Sequence, residues 1–156
     1  MVIPKSLLQT LRQRAKHRCE YCHYPEILSS APLSVDHIQP QSLAGDDSLD
    51  NLALACRRCN ERRYNFITGI DPETQTEIPL FNPRQQEWQD HFIWSVDGLR
   101  IIGKTDTGRA TCNRLDLNDD RRDEPFIQNA RRQWVSQNYI HQMTTHKNQL
   151  RMANLN

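Results

Sequence analysis

Four cysteines, Cys19, Cys22, Cys56 and Cys59, constrain this chain more than any other feature. They form two C-x-x-C pairs with 33 residues between them, and four thiolates meet the tetrahedral requirement of one closed Zn²⁺ site. A closed shell leaves no position for water or substrate, so such a metal is structural. It would pin a knuckle at the end of an N-terminal helix to the start of a second helix. The gap is longer than in common zinc ribbons, so the segment between the pairs has to fold back. A redox pair and an iron–sulfur cluster are the alternatives. A redox C-x-x-C usually stands near a βαβ pattern, and that pattern is absent here. Cys112, outside both pairs, reads as a small buried hydrophobe.

A chain of 156 residues can bury a real core, and the expected organisation is a module over residues 1–70 followed by an extension over 71–156. Charged residues make up 25% of it, and no apolar run approaches the roughly 18 residues that span a bilayer. The N-terminal stretch is too short and polar for a signal-peptide centre, so a cytoplasmic protein without a membrane partner is expected. Net charge is only +1, but it is unevenly distributed. Lys5, Arg12, Arg14, Lys16 and Arg18 have no acidic residue among them, and Arg57, Arg58, Arg62 and Arg63 face only Glu61. Such clusters are either solvated helix faces or basic surfaces for nucleic-acid phosphates.

Punctuation and periodicity outline the elements. Pro4 and the stripe Leu7, Leu8, Leu11, Ala15 predict a helix to about His17. Residues 25–32 form a loop. Leu33–Ile38 reads as a strand ended by Pro40, residues 41–50 as a loop turning at Gly45-Asp46-Asp47, and Asn51–Ala55 as a second strand. A helix is expected over Arg57–Ile67, with Gly69 as its cap. Residues 68–83 read as a linker, and Asn82-Pro83 as the start of a helix to about His91. Asp97-Gly98 predicts a hairpin between residues 92–96 and 99–104. Helices follow over Thr107–Leu115 and from Pro125, and periodicity fades after about Tyr139. Trp88, Trp94 and Trp134 are expected in the core of the C-terminal part, and His17, His23 and His91 to be packed or exposed. Arg109, near a helix start, is a further candidate for a phosphate contact.

A second set of donors interleaves with the cysteines: Asp36, His37, Asn51 and Asn60. Asp and Asn oxygens suit a hard divalent ion such as Mg²⁺ or Mn²⁺. A histidine beside that ion, and not bound to it, can take a proton from an attacking water near neutral pH. Singly, each has a plain reading: packed His, turn Asn. Their combination within one short window is the informative feature.

Asp36-His37-Ile38-x-Pro40, Asn51-Leu52 and Cys56-x-x-Cys59-Asn60-x-x-Arg63 together resemble the HNH endonucleases, in the zinc-stabilised branch with two C-x-x-C pairs. The resemblance covers Cys19 to about Tyr64. It implies an α+β chain with a ββα-metal (His-Me finger) core, a structural zinc knuckle and a mixed α/β extension. It also implies a metal-dependent endonuclease acting on DNA, RNA being possible. His37 would be the general base, Asp36 and Asn60 the ligands of a Mg²⁺, Mn²⁺ or Ni²⁺ ion, and Asn51 the residue that ties down the loop between the strands. Two positions depart from the common pattern: Asn60 where His is frequent, and Arg63 where Lys is frequent. Residues 81–118 are similar to an extension of some bacterial HNH proteins. A zinc-stabilised nucleic-acid-binding module without cleavage is the alternative function.

Overall fold

The computed structural model describes residues 2–136; the tail expected to lose periodicity after Tyr139 lies outside the described residues. Helix α1 (Lys5–Arg14) begins after Pro4 and buries Leu11, while Lys16 and His17 take positive φ and turn the chain into the first cysteine pair. Strands β1 (Ser34–His37) and β2 (Leu52–Ala55) pair antiparallel, Ser34 opposite Ala55 and His37 opposite Leu52. All four residues of β2 are buried, because α1 and the helix α2 (Arg57–Arg63) both pack on this ribbon. The free edge of β2 is closed by Glu20, whose N–H donates to Leu54 O (2.9 Å) and whose carboxylate accepts from Leu54 N (2.7 Å).

The chain then departs from expectation. α2 ends at Arg63, not near Ile67, because Tyr64 closes it at φ 48° with its N–H on Asn60 O. Gly69 is not its cap. It lies in β3 (Thr68–Ile70), which pairs with β4 (Glu77–Pro79), so the expected linker is a hairpin and pairs residues on either side of position 70. A Cβ at Gly69 would sit 3.0 Å from Leu80, 3.1 Å from Ala110 O and 3.2 Å from the Arg114 side chain, so its smallness lets α4 (Asp106–Leu115) lie on the hairpin. The helix expected from Asn82 shrinks to α3 (Trp88–His91), because extended Glu87 interrupts it after the turn that Asn82 caps through Arg84 N.

The Asp97-Gly98 turn joins β5 (Phe92–Trp94) to β6 (Ile101–Gly103), Gly98 supplying φ 74°. α5 (Phe126–Ser136) follows Pro125. Trp88, Trp94 and Trp134 are buried as expected: Trp88 stacks on Phe92 and donates to Tyr21 O (2.9 Å), while Trp134 meets Tyr24 edge-on. One apolar cluster therefore runs from the cysteines into the C-terminal part. The protein is a mixed α/β chain of small two-stranded sheets. No helix among the described residues is long and apolar enough to cross a membrane.

Candidate metal centre and active site

The two cysteine pairs converge. Cys19, Cys22, Cys56 and Cys59 are all buried, with their sulfurs within 4.8 Å of one another. The first pair sits in a turn closed by Cys19 N on Tyr24 O and His23 N on Cys19 O, both 2.9 Å. The second pair starts α2: Cys56 is the N-cap, its Sγ accepting from Cys59 N at 3.4 Å. Burial, and then hydrogen bonds from its neighbours, pushes the Cys19 thiol well up, so the four cannot ionise together without a cation. Arg131 is an independent sign of what belongs there. Its guanidinium is fully buried and donates to Leu99 O, Leu117 O and Asn118 Oδ1, with no carboxylate among these partners. Burial brings its pKa down to about 10, opposed first by the charge of Cys22. A tetrathiolate Zn²⁺ carries a net −2 and would supply the counter-charge, so the donor set fits zinc. Cys112 is partly buried where full burial was expected; it donates weakly to Ile101 O, and burial pushes its thiol up to about 12, which leaves it inert.

The oxygen and imidazole set gathers at the end of the β1–β2 ribbon. Asp36, His37 and Asn60 line one open pocket of about 450 Å³ with Pro40, Gln41 and Tyr64. Asp36 is only 3% exposed; its Oδ2 accepts from Tyr21 OH (2.6 Å) and its Oδ1 from Arg63 (3.2 Å). Burial raises its pKa, with the Arg63 charge and the Tyr21 hydroxyl pulling the other way. The neighbouring His37 points differently, as alternation along a strand requires, and its Nε2 lies 2.8 Å from Asp47 Oδ1. The Asn60 amide has no hydrogen-bond partner among the described residues and is free to meet a ligand. Asn51 makes three side-chain hydrogen bonds across the loop: Oδ1 accepts from Gln39 N (2.7 Å), and Nδ2 donates to Gln39 O (3.0 Å) and Asp46 O (2.8 Å). Gly45 is obligatory beside it, since a Cβ there would lie 1.7 Å from Gln39 O.

The arginines expected at phosphates are mostly used within the fold. Arg63 is 2% exposed and holds Asp36, His37 O (3.0 Å) and Ile38 O, so it lies inside and not on the surface. Arg58 and Arg62 reach Asp119 (2.6 and 3.1 Å) and Asp116 O. Arg57 alone of the four stands in solvent, paired with Glu61 at 2.6 Å. Near the N-terminus, Arg12 pairs with Glu26 and Arg14 donates to Leu49 O and Leu52 O. Arg109 grips Asp71 through two hydrogen bonds (2.9 and 2.7 Å). His91 hydrogen-bonds Thr105 (2.7 Å), and the His23 ring lies 4.2 Å from that of Trp88, tilted by 31°. The contacts of Tyr21 with Asp36 and of Asp47 with His37 have no signal in the sequence, which shows Asp47 only as part of a turn. Asp47 sits in a turn where carboxylates are common, and only the folded loop shows that it meets His37.

No curated protein and no solved structure matches the chain. The segment carrying both sites, residues 19–66, matches the family model of the HNH endonuclease, so this part of the chain is similar to a family for which nuclease activity is the general expectation.

Proposed function

We propose that the protein is a metal-dependent HNH endonuclease that hydrolyses phosphodiester bonds of DNA, with β1, β2 and α2 as a ββα-metal core. The observation that carries this reading is the shared pocket of Asp36, His37 and Asn60, beside a loop that Asn51 holds closed. His37 is the general base. Asp47 accepts from Nε2–H, so in the neutral imidazole the lone pair lies on Nδ1. Nδ1 removes a proton from water, whose oxygen attacks phosphorus in line with the departing oxygen. Asp36 and Asn60 would supply the hard oxygens for a Mg²⁺, Mn²⁺ or Ni²⁺ ion: Asp36 Oδ1 keeps a lone pair beyond its Arg63 bond, and the Asn60 amide has no hydrogen-bond partner among the described residues. When bound, that ion stabilises charge on the phosphate and on the leaving oxygen. The Cys19–Cys22–Cys56–Cys59 centre does no chemistry, but Cys59 adjoins Asn60, so zinc sets the position of a ligand.

A second reading, nucleic-acid binding without cleavage, draws on the pairing of Asp36 with Tyr21 and Arg63, which also suits a structural carboxylate. Incubating supercoiled plasmid with the protein and each divalent ion separates the two. Ion-dependent nicking is expected, and binding without nicking in any of the three ions would favour the second reading.

A further inference from the structure

Beyond the pocket lies a strip that the proposed chemistry does not use. Tyr64 lines the pocket with His37 and Asn60 and is 68% exposed. Phe66, Ile67 and Ile70, all exposed, continue the strip, with the Tyr64 and Phe66 rings 6.4 Å apart. One face of Phe66 is covered by the Arg114 guanidinium, 3.8 Å from the ring centre. Arg114 makes no ion pair among the described residues. Arg121, held by the backbone and side-chain oxygens of Asn113, makes none either, and Asn113 itself donates to Ile70 O at the end of the strip. Most other arginines among the described residues are matched to carboxylates, so Arg114 and Arg121 are cations without an ion pair beside the exposed rings.

The backbone gives an independent sign. Tyr64 has φ 48° and ψ −125°, a conformation natural to glycine and strained for an aromatic residue. Helix α2 could end there with less strain on a glycine, so the exposed ring is held against a conformational cost. Strained residues of this kind cluster at ligand clamps.

We infer that this strip seats the strand being cut as a single, unstacked strand: a base stacks on Tyr64, and the following phosphates meet Arg114 and Arg121. Bases stack on aromatic rings without regard to sequence, and arginines track the backbone beside them. Phe66 holds Arg114 by cation–π contact and leaves the Tyr64 face for the base. A duplex keeps its bases inside and offers nothing to this ring, so single-stranded or locally opened nucleic acid is the preferred class. The inference deepens the nuclease reading and rests on it for the direction of the strand, but binding can be measured without cleavage.

The test is fluorescence anisotropy with a labelled DNA oligonucleotide of about 15 nucleotides, single-stranded or as a hairpin duplex, without added divalent ion. The native chain binds the single strand more tightly. Tyr64→Ala and Tyr64→Gly weaken that binding about 5- to 150-fold, Tyr64→Phe retains it, and duplex binding changes little. Arg114→Gln lowers the slope of log affinity against log salt by about 0.7. Tyr64→Gly also melts at a higher temperature than the native chain, which shows that its weaker binding is not unfolding. Equal binding of both forms, or native affinity in Tyr64→Ala, would overturn the inference even if the protein nicks plasmid. If the single-strand pattern holds but no nicking occurs, the strip stands and the nuclease reading falls.

Discussion

Replacing Arg63 by alanine is expected to have the largest effect on stability of any substitution outside the cysteines. The guanidinium is 2% exposed and joins the end of α2 to the end of β1 through Asp36, His37 O and Ile38 O. Without it the Asp36 carboxylate stays buried with Tyr21 as its remaining hydrogen-bond donor. Breaking a buried pair in this way costs about 3–5 kcal/mol, against a total stability of about 5–15 kcal/mol for a domain. With a urea slope near 2 kcal/mol/M, the midpoint falls by about 2 M. Arg63→Lys does not restore it, because one ammonium cannot span a carboxylate and two carbonyls. Adding Asp36→Asn to Arg63→Ala recovers part of the loss by removing the stranded charge. Removing Arg63 also pushes the folded pKa of Asp36, already raised by burial, further above its unfolded value. Between those two values the native state holds more protons than the unfolded one, so the variant gains stability as pH falls toward about 4. Urea titrations at several pH values, followed by tryptophan fluorescence, read both effects. A penalty under about 1 kcal/mol that does not vary with pH would refute the buried-pair argument.

Three further outcomes follow from the same geometry. The native protein should bind one zinc through the four cysteines, and Cys59→Ser or strong chelation should remove it and unfold the region, since structural zinc contributes about 10–16 kcal/mol of binding free energy in small domains; cleavage that survives chelation would break the link between Cys59 and Asn60. Hydrogen bonds from Arg109 hold the Asp71 carboxylate well below the usual range, so its contribution to stability is present above about pH 4 and fades as pH falls below that. Acid denaturation of Asp71→Asn should accordingly show a flatter pH dependence than that of the native chain. Asp47→Asn should lower the cleavage rate about 10- to 100-fold and move the pH profile while leaving the melting temperature unchanged, because it alters the partner of His37 and nothing in the core.

Much of the site was legible because its information is local. The cysteine spacing, the proline after β1 and the Asn51 loop are short-range signals, and each led to the right neighbours. The partners of the arginines were not legible because they are distant in sequence: Arg58 and Arg62 find Asp119, and Arg63 turns inward to Asp36. Local charge counting sees four surface cations where the fold leaves one open. The β3–β4 hairpin was hidden by its prolines, which sit at a strand end and in the turn that Asp71 organises through Glu73 N and Thr74. Tyr64 was missed as a helix end because an aromatic residue at positive φ has no favourable propensity to read.

The most direct test of the account compares plasmid nicking by the native chain and by His37→Ala at neutral pH with Mg²⁺, with zinc content and circular dichroism measured on both. The native chain should nick and His37→Ala should not, and the two should keep the same zinc content and fold. Ion-dependent nicking retained by His37→Ala would contradict the assignment of His37 as the base.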